Sequence, residues 1–116
     1  MKIEFEKTML LSGELLSYCH KKGAKNYQLN ITEEADAMLF TIKAFPTHIS
    51  EEKLERLKNK LNTPRNREIE QDFWGLSGES ESGSEMTLVG MMCDEAHIEY
   101  DCNELSIMIK RLEKHG

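Results

Sequence analysis

The sequence lacks several features that would place it quickly. No apolar run approaches the ~18 residues that span a bilayer, so an integral helical membrane protein is excluded from the reading. The opening MKIEFEK alternates charge with apolar residues and is no secretory h-region. The three cysteines, Cys19, Cys93 and Cys102, are odd in number and without CxxC spacing. They read as reduced, buried, small hydrophobes in a cytoplasmic chain. Basic excess is absent too, since the formal net charge is −6. That argues against nucleic acid or an anionic membrane as the main partner, because both require clustered Lys and Arg. The nearest basic cluster, Lys58, Lys60, Arg65 and Arg67, is diluted by Asn59, Asn62 and Asn66 and reads as a solvated face.

The 116 residues, 39% hydrophobic and 31% charged, suit one globular domain over 1–116 with a single modest core. Ile3 and Phe5 alternate with Lys2, Glu4 and Glu6, predicting a short strand at 2–6. From Thr8 to about Lys22 the period becomes helical, with Leu11, Leu15 and Tyr18 or Cys19 on one stripe and Gly23 at the C′ position. Tyr27, Leu29 and Ile31 alternate, Thr32–Asp36 turns, and Phe40, Ile42 and Ala44 alternate until Pro46, which predicts an antiparallel hairpin. Ser50 caps a second helix, with Glu51 and Glu52 at its positive end and Ile49 and Leu54 as a hydrophobic staple. Leu54, Leu57 and Leu61 form its buried stripe, and Asn62-Thr63-Pro64 ends it.

Ile69, Phe73 and Trp74 fit one short helical face, although the pattern over 65–74 is ambiguous. Residues 75–84 are rich in Gly, Ser and Glu and read as a mobile loop. Ser82 and Glu85 fit a capping box before a short helix to about Cys93, followed by strands at 96–100 and 105–109 around an Asp101-Cys102-Asn103 turn. The expected order is β-α-β-β-α-(loop)-α-β-β, an α+β fold with a mixed, largely antiparallel sheet and helices packed on one face.

No complete catalytic, metal or phosphate motif stands out. Gly78 to Glu85 has P-loop glycine spacing, but Ser84 replaces the phosphate-gripping lysine and Glu85 the magnesium-binding hydroxyl. Cys93 and His97 make one loose pair, with Cys102 and His20 as distant candidates, where zinc sites use two tight pairs. Cys19 and His20 point about 100° apart on a helix and form no thiol–base pair. Asp94, Glu95, Glu99 and Asp101 read as solvated acid, and Met86, Met91 and Met92 as helix packing.

The element order and several strings resemble the histidine-kinase-type ATP-binding domain, the GHKL or Bergerat fold, a two-layer sandwich found in sensor kinases, anti-sigma-factor kinases and the gyrase ATPase domain. The carriers are Ser12-Gly13-Glu14-Leu15-Leu16 through His20-Lys21-Lys22-Gly23-Ala24, the hairpin, the glycine-containing loop, the helix Thr87-Leu88-Val89-Gly90-Met91 and the terminal hairpin. The likeness spans roughly residues 8–112. It implies that Glu14 matches the water-activating glutamate of the hydrolysing members. Tyr18 stands where the magnesium-binding asparagine belongs. Phe45-Pro46-Thr47-His48-Ile49 replaces the adenine-reading Asp-x-Gly-x-Gly, and no Gly-Thr pair precedes the last strand. Gly75, Gly78 and Gly83 are counterparts of the lid glycines.

The resemblance therefore implies a degenerate, non-catalytic regulatory domain that holds no cofactor and binds another protein. Phe73, Trp74, Leu76, Gly78 and Gly83 are the candidate partner surface, since aromatics on loops anchor interfaces. Two alternatives stay open: an active ATP- and magnesium-dependent kinase or ATPase using Glu14, and a small-molecule sensor using the vacated nucleotide pocket.

Overall fold

The computed structural model describes residues 2–66 and 85–112. Helix α1 spans Lys2–Lys21, strand β1 Asn26–Glu33, β2 Ala37–Phe45 and helix α2 Glu51–Leu61. Helix α3 spans Glu85–Met91, β3 Glu95–Asp101 and β4 Glu104–Leu112. The strands lie in the order β1-β2-β4-β3. The protein is α+β, with a four-stranded sheet and helices on one of its faces.

The strand expected at 2–6 is instead the first turn of α1. Alternation over five residues samples a period too briefly to exclude a helix, and Lys2, Glu4, Glu6 and Lys7 are good helix formers. Further along α1, Thr8, Leu11, Ser12, Leu15 and Cys19 are all buried, at the three-and-four spacing of one helix face. The described order is thus α-β-β-α-α-β-β, without the leading strand. Each of the three pairings is antiparallel, not mixed. Two are hairpins and the third joins their inner strands, so among the described residues no strand pairs in parallel.

Local chemistry sets the remaining boundaries. Gly23 has φ +100°, Gly23 N–H donates to His20 O and Ala24 N–H to Cys19 O. That double bond is a Schellman stop for α1, which needs the left-handed residue that glycine supplies. Ser50 Oγ accepts from Lys53 N–H at 3.2 Å, capping α2 as expected. Cys102 and Asn103 both take positive φ, a two-residue turn that matches the twist of the β3–β4 hairpin and leaves Cys102 exposed rather than buried as expected, while Cys19 and Cys93 are buried. The segment after Leu61 is pinned by Arg65, whose Nη1 donates to Asp94 Oδ2 at 2.6 Å and to Leu112 O at 3.0 Å.

Period-two alternation produces a single inner sheet face. One row across it is Leu29, Ile42, Ile107 and Ile98, and the next is Ile31, Phe40, Ile109 and Ala96. In the two central strands these inner residues are fully buried, whereas Leu29 and Ile31 on β1 are only half-buried. Arg111 is also fully buried, and its Nη1 donates to Met92 O at 2.8 Å. Among the described residues no helix is long and apolar enough to cross a membrane.

Candidate functional site

Two residues of α1 matter most for the site. Glu14 and Tyr18 stand four apart, on the shoulder beside the buried stripe, and both are half-buried. Lys22 follows at the helix exit, with its Nζ 5.3 Å from the centre of the Tyr18 ring, a cation–π distance. On α2, Lys53 and Lys60 are seven residues apart, so they share a flank about 10 Å apart along the axis. Helix α1 packs against β2 and α2 against α3 and β3, while α1 and α2 scarcely touch. Burial first, then the neighbouring Lys53 and Lys60, hold the Lys22 ammonium below the usual lysine range.

The same corner contains groups kept neutral. Burial, and then the adjacent Cys19, raise the Tyr18 hydroxyl. Burial alone pushes the Cys19 thiol up to about 11, so it is a thiol at neutral pH and a poor nucleophile. A protonated phenol stacked under an ammonium group is a poor ligand for a divalent cation.

The segment from Phe45 to Ile49 is committed to internal hydrogen bonds. Thr47 N–H and Thr47 Oγ1 both donate to Asn103 O, at 2.7 and 3.1 Å. Thr47 O accepts from Tyr100 Oη at 2.8 Å and from Asn103 Nδ2 at 3.0 Å. Ile49 N–H donates to Tyr100 Oη at 3.3 Å, and His48 N–H to Lys22 O at 3.0 Å. This knot ties the α1 exit to the β3–β4 turn. It leaves the Thr47 backbone polar groups committed within the fold.

No family model matches the chain, and no curated protein matches it either.

Other sequence candidates scatter. Phe73, Trp74, Leu76, Gly78 and Gly83 lie outside the described residues, as does Gly75. Cys93 is buried after α3, while His97 is exposed on β3 with its Nε2 3.7 Å from Glu95 Oε1, so they share no face. Among the described residues no three of His, Cys, Asp and Glu converge. The acidic group divides: Glu95, Glu99 and Asp101 are exposed on β3, whereas Asp94 accepts from Arg65 and from Leu112 N–H. Met86 and Met92 are core residues.

The basic cluster also regroups. Arg65 belongs to the Asp94 clamp, and Lys60 joins Lys53 and Lys22 across the helices. Reading charges by nearness in sequence missed this grouping. The spacing of seven between Lys53 and Lys60 was the available signal, but nothing in the sequence places Lys22 opposite them.

Proposed function

We propose that this chain is a non-catalytic regulatory domain, built on a histidine-kinase-like sandwich, that acts in the cytoplasm by binding another protein. The observation that carries the reading is the Tyr18–Lys22 stack at the exit of α1. On the resemblance, that corner corresponds to the place where relatives bridge phosphates through magnesium. Tyr18 stands there as a protonated phenol under the Lys22 ammonium, so the Glu14 carboxylate alone cannot supply a magnesium site. Hydrogen-bond commitment of Thr47 supports the loss of adenine recognition. The aromatic surface of Phe73, Trp74 and Leu76, with Gly78 and Gly83, remains the proposed partner face.

A thermal-shift titration tests the reading directly. A ligand that binds only the folded state stabilises it by ~2.7 kcal/mol at a hundredfold excess over Kd. The expected result is no magnesium-dependent shift with ATP or ADP. A saturable magnesium-ATP shift, together with turnover abolished by Glu14→Gln, would establish the active-ATPase alternative and refute ours.

The lysine group favours a second reading, a sensor for a small anionic ligand. Its signature is nucleotide or phosphate stabilisation that persists in chelator and disappears in Lys53→Ala.

A further inference from the structure

The two edges of the sheet differ in chemistry. Strand β3 carries Glu95, Glu99 and Asp101 on its exposed face, a charge array that repels a copy of itself. Strand β1, NYQLNITE, is eight residues long and carries a single charge at Glu33. It has neither lysine nor proline within it to block pairing. Among the described residues, β1 has a strand neighbour on one side alone.

The direction of its free backbone groups follows from the register. Glu34 N–H donates to Ala37 O, so the even-numbered residues of β1 bond to β2. The N–H and C=O groups of Tyr27, Leu29, Ile31 and Glu33 therefore point away from β2, out of the sheet edge. Their side chains face inward, on the helix side, and remain incompletely covered. Tyr27 is 41% exposed, and Leu29 and Ile31 are half-buried.

Helix α1 adds to the same margin. His20 Nδ1 lies 3.0 Å from Tyr27 Oη, which identifies the shoulder of α1 that looks toward β1. Leu16, Met9 and Phe5 lie on that shoulder by helical spacing. Met9 and Phe5 are 44% and 42% exposed.

We propose that β1 pairs antiparallel with β1 of a second copy of this chain, making a two-fold dimer with one continuous eight-stranded sheet. One register satisfies backbone, faces and charge together. Leu29 sits on the axis opposite Leu29 of the second copy. Tyr27 faces the second Ile31, an aromatic against a β-branched residue, and Gln28 faces the second Asn30 on the outer side. Lys25 then stands opposite Glu33 of the second copy, and two-fold symmetry repeats that pair. Every outward N–H of Tyr27, Leu29 and Ile31 meets a carbonyl. Shifting by two residues instead sets Tyr27 against Glu33 and loses both ion pairs.

The helices fit this arrangement. With strands ~4.8 Å apart, the two β2 strands lie about 14 Å apart across the seam. Helices packed in contact lie 8–10 Å apart. The wider gap between the two α1 helices is filled by the exposed Phe5 and Met9 and the half-buried Leu16, over the exposed Tyr27 and the half-buried Leu29 and Ile31.

Sedimentation equilibrium on the full chain and on four variants tests the proposal. The wild type is expected to be a dimer with concentration-dependent dissociation. Glu33→Lys and Lys25→Glu should each raise the dimer Kd by roughly tenfold, and the double swap Lys25→Glu/Glu33→Lys should restore it. Both positions are exposed, so the folded monomer tolerates these changes. Leu29→Pro deletes an outward N–H that makes no bond to β2, and should yield a folded monomer. If Leu29→Pro fails to fold, the charge swap still decides. A wild type that stays monomeric at millimolar concentration overturns the proposal, as does a dimer indifferent to the single charge reversals.

Discussion

Placing a methyl group on Gly90 would test the packing that positions the candidate site. A Cβ built there lies 2.3 Å from Lys60 O, and 3.0 Å from both C and O of Leu61. All three atoms are backbone at the end of α2, so no rotamer change relieves the overlap. Lys60 O also accepts from Thr63 N–H at 3.2 Å, so displacing it disturbs the turn that ends α2. Restoring ordinary contact requires α3 to move about 1 Å from α2, opening the interface lined by Leu57, Leu61, Val89 and Met92. Alanine gains about 1 kcal/mol over glycine from helix propensity, while overpacking costs typically 1–3 kcal/mol and more against backbone.

The net expectation for Gly90→Ala is a loss of about 1–3 kcal/mol, read as a fall in Tm of roughly 5–15 °C. Gly13→Ala supplies the control. It is also helical, it is exposed, and its added Cβ meets nothing within 4 Å. It should gain about 0.5–1 kcal/mol by propensity alone. Chemical denaturation of both variants measures the two signs with one assay. A Gly90→Ala protein as stable as wild type would refute the close approach of α2 and α3. Because Lys60 leaves α2 at that contact, the same result would undermine the geometry of the lysine group.

Two further tests concern the polar knot and the buried thiol. Tyr100→Phe removes the hydroxyl that donates to Thr47 O and accepts from Ile49 N–H, so urea denaturation should show a loss of about 1–3 kcal/mol. Cys19 is fully buried with its thiol raised to about 11 from 9.0, so below pH 9 both folded and unfolded chains hold the proton. Between pH 9 and 11 only the unfolded chain ionises, and stability falls by about 3 kcal/mol across that window. Cys19→Ala should flatten the slope there whatever its absolute stability, and an unchanged slope would refute the thiol's burial. Lys22 acts in the opposite sense, because its charged form is the penalised one in the fold.

Much of the architecture was legible because periodicity and punctuation agreed. The stripe Leu11, Leu15, Cys19 ended by Gly23, the Ser50 cap with its Leu54, Leu57, Leu61 stripe, and both hairpins all appear where spacing put them. Residues 2–6 failed because a strand was read from two apolar positions, too few to outweigh the helix-forming residues around them. The site was less legible for a different reason. Glu14 and Tyr18 are visible as neighbours on one helix, but Lys22, Lys53 and Lys60 are brought together by the packing of two helices on different strands.

Tertiary placement also changes the meaning of the net charge. The formal −6 suggests a chain with nothing to offer an anion, yet its acids and bases are unevenly spread over the fold. Glu95, Glu99 and Asp101 line the outer side of β3, while Lys22 follows α1 and Lys53 and Lys60 lie seven apart along α2. Fields from exposed charges decay within ~8–10 Å at physiological salt, so a ligand at the helices responds to the lysines and glutamates nearest it and not to the sum. The same unevenness separates the two sheet edges, acidic and self-repelling at β3, nearly uncharged and self-complementary at β1. Anion binding at the α1–α2 corner and pairing through β1 therefore use different residues. Lys53→Ala should alter the first and leave the dimer intact, whereas Glu33→Lys should do the reverse.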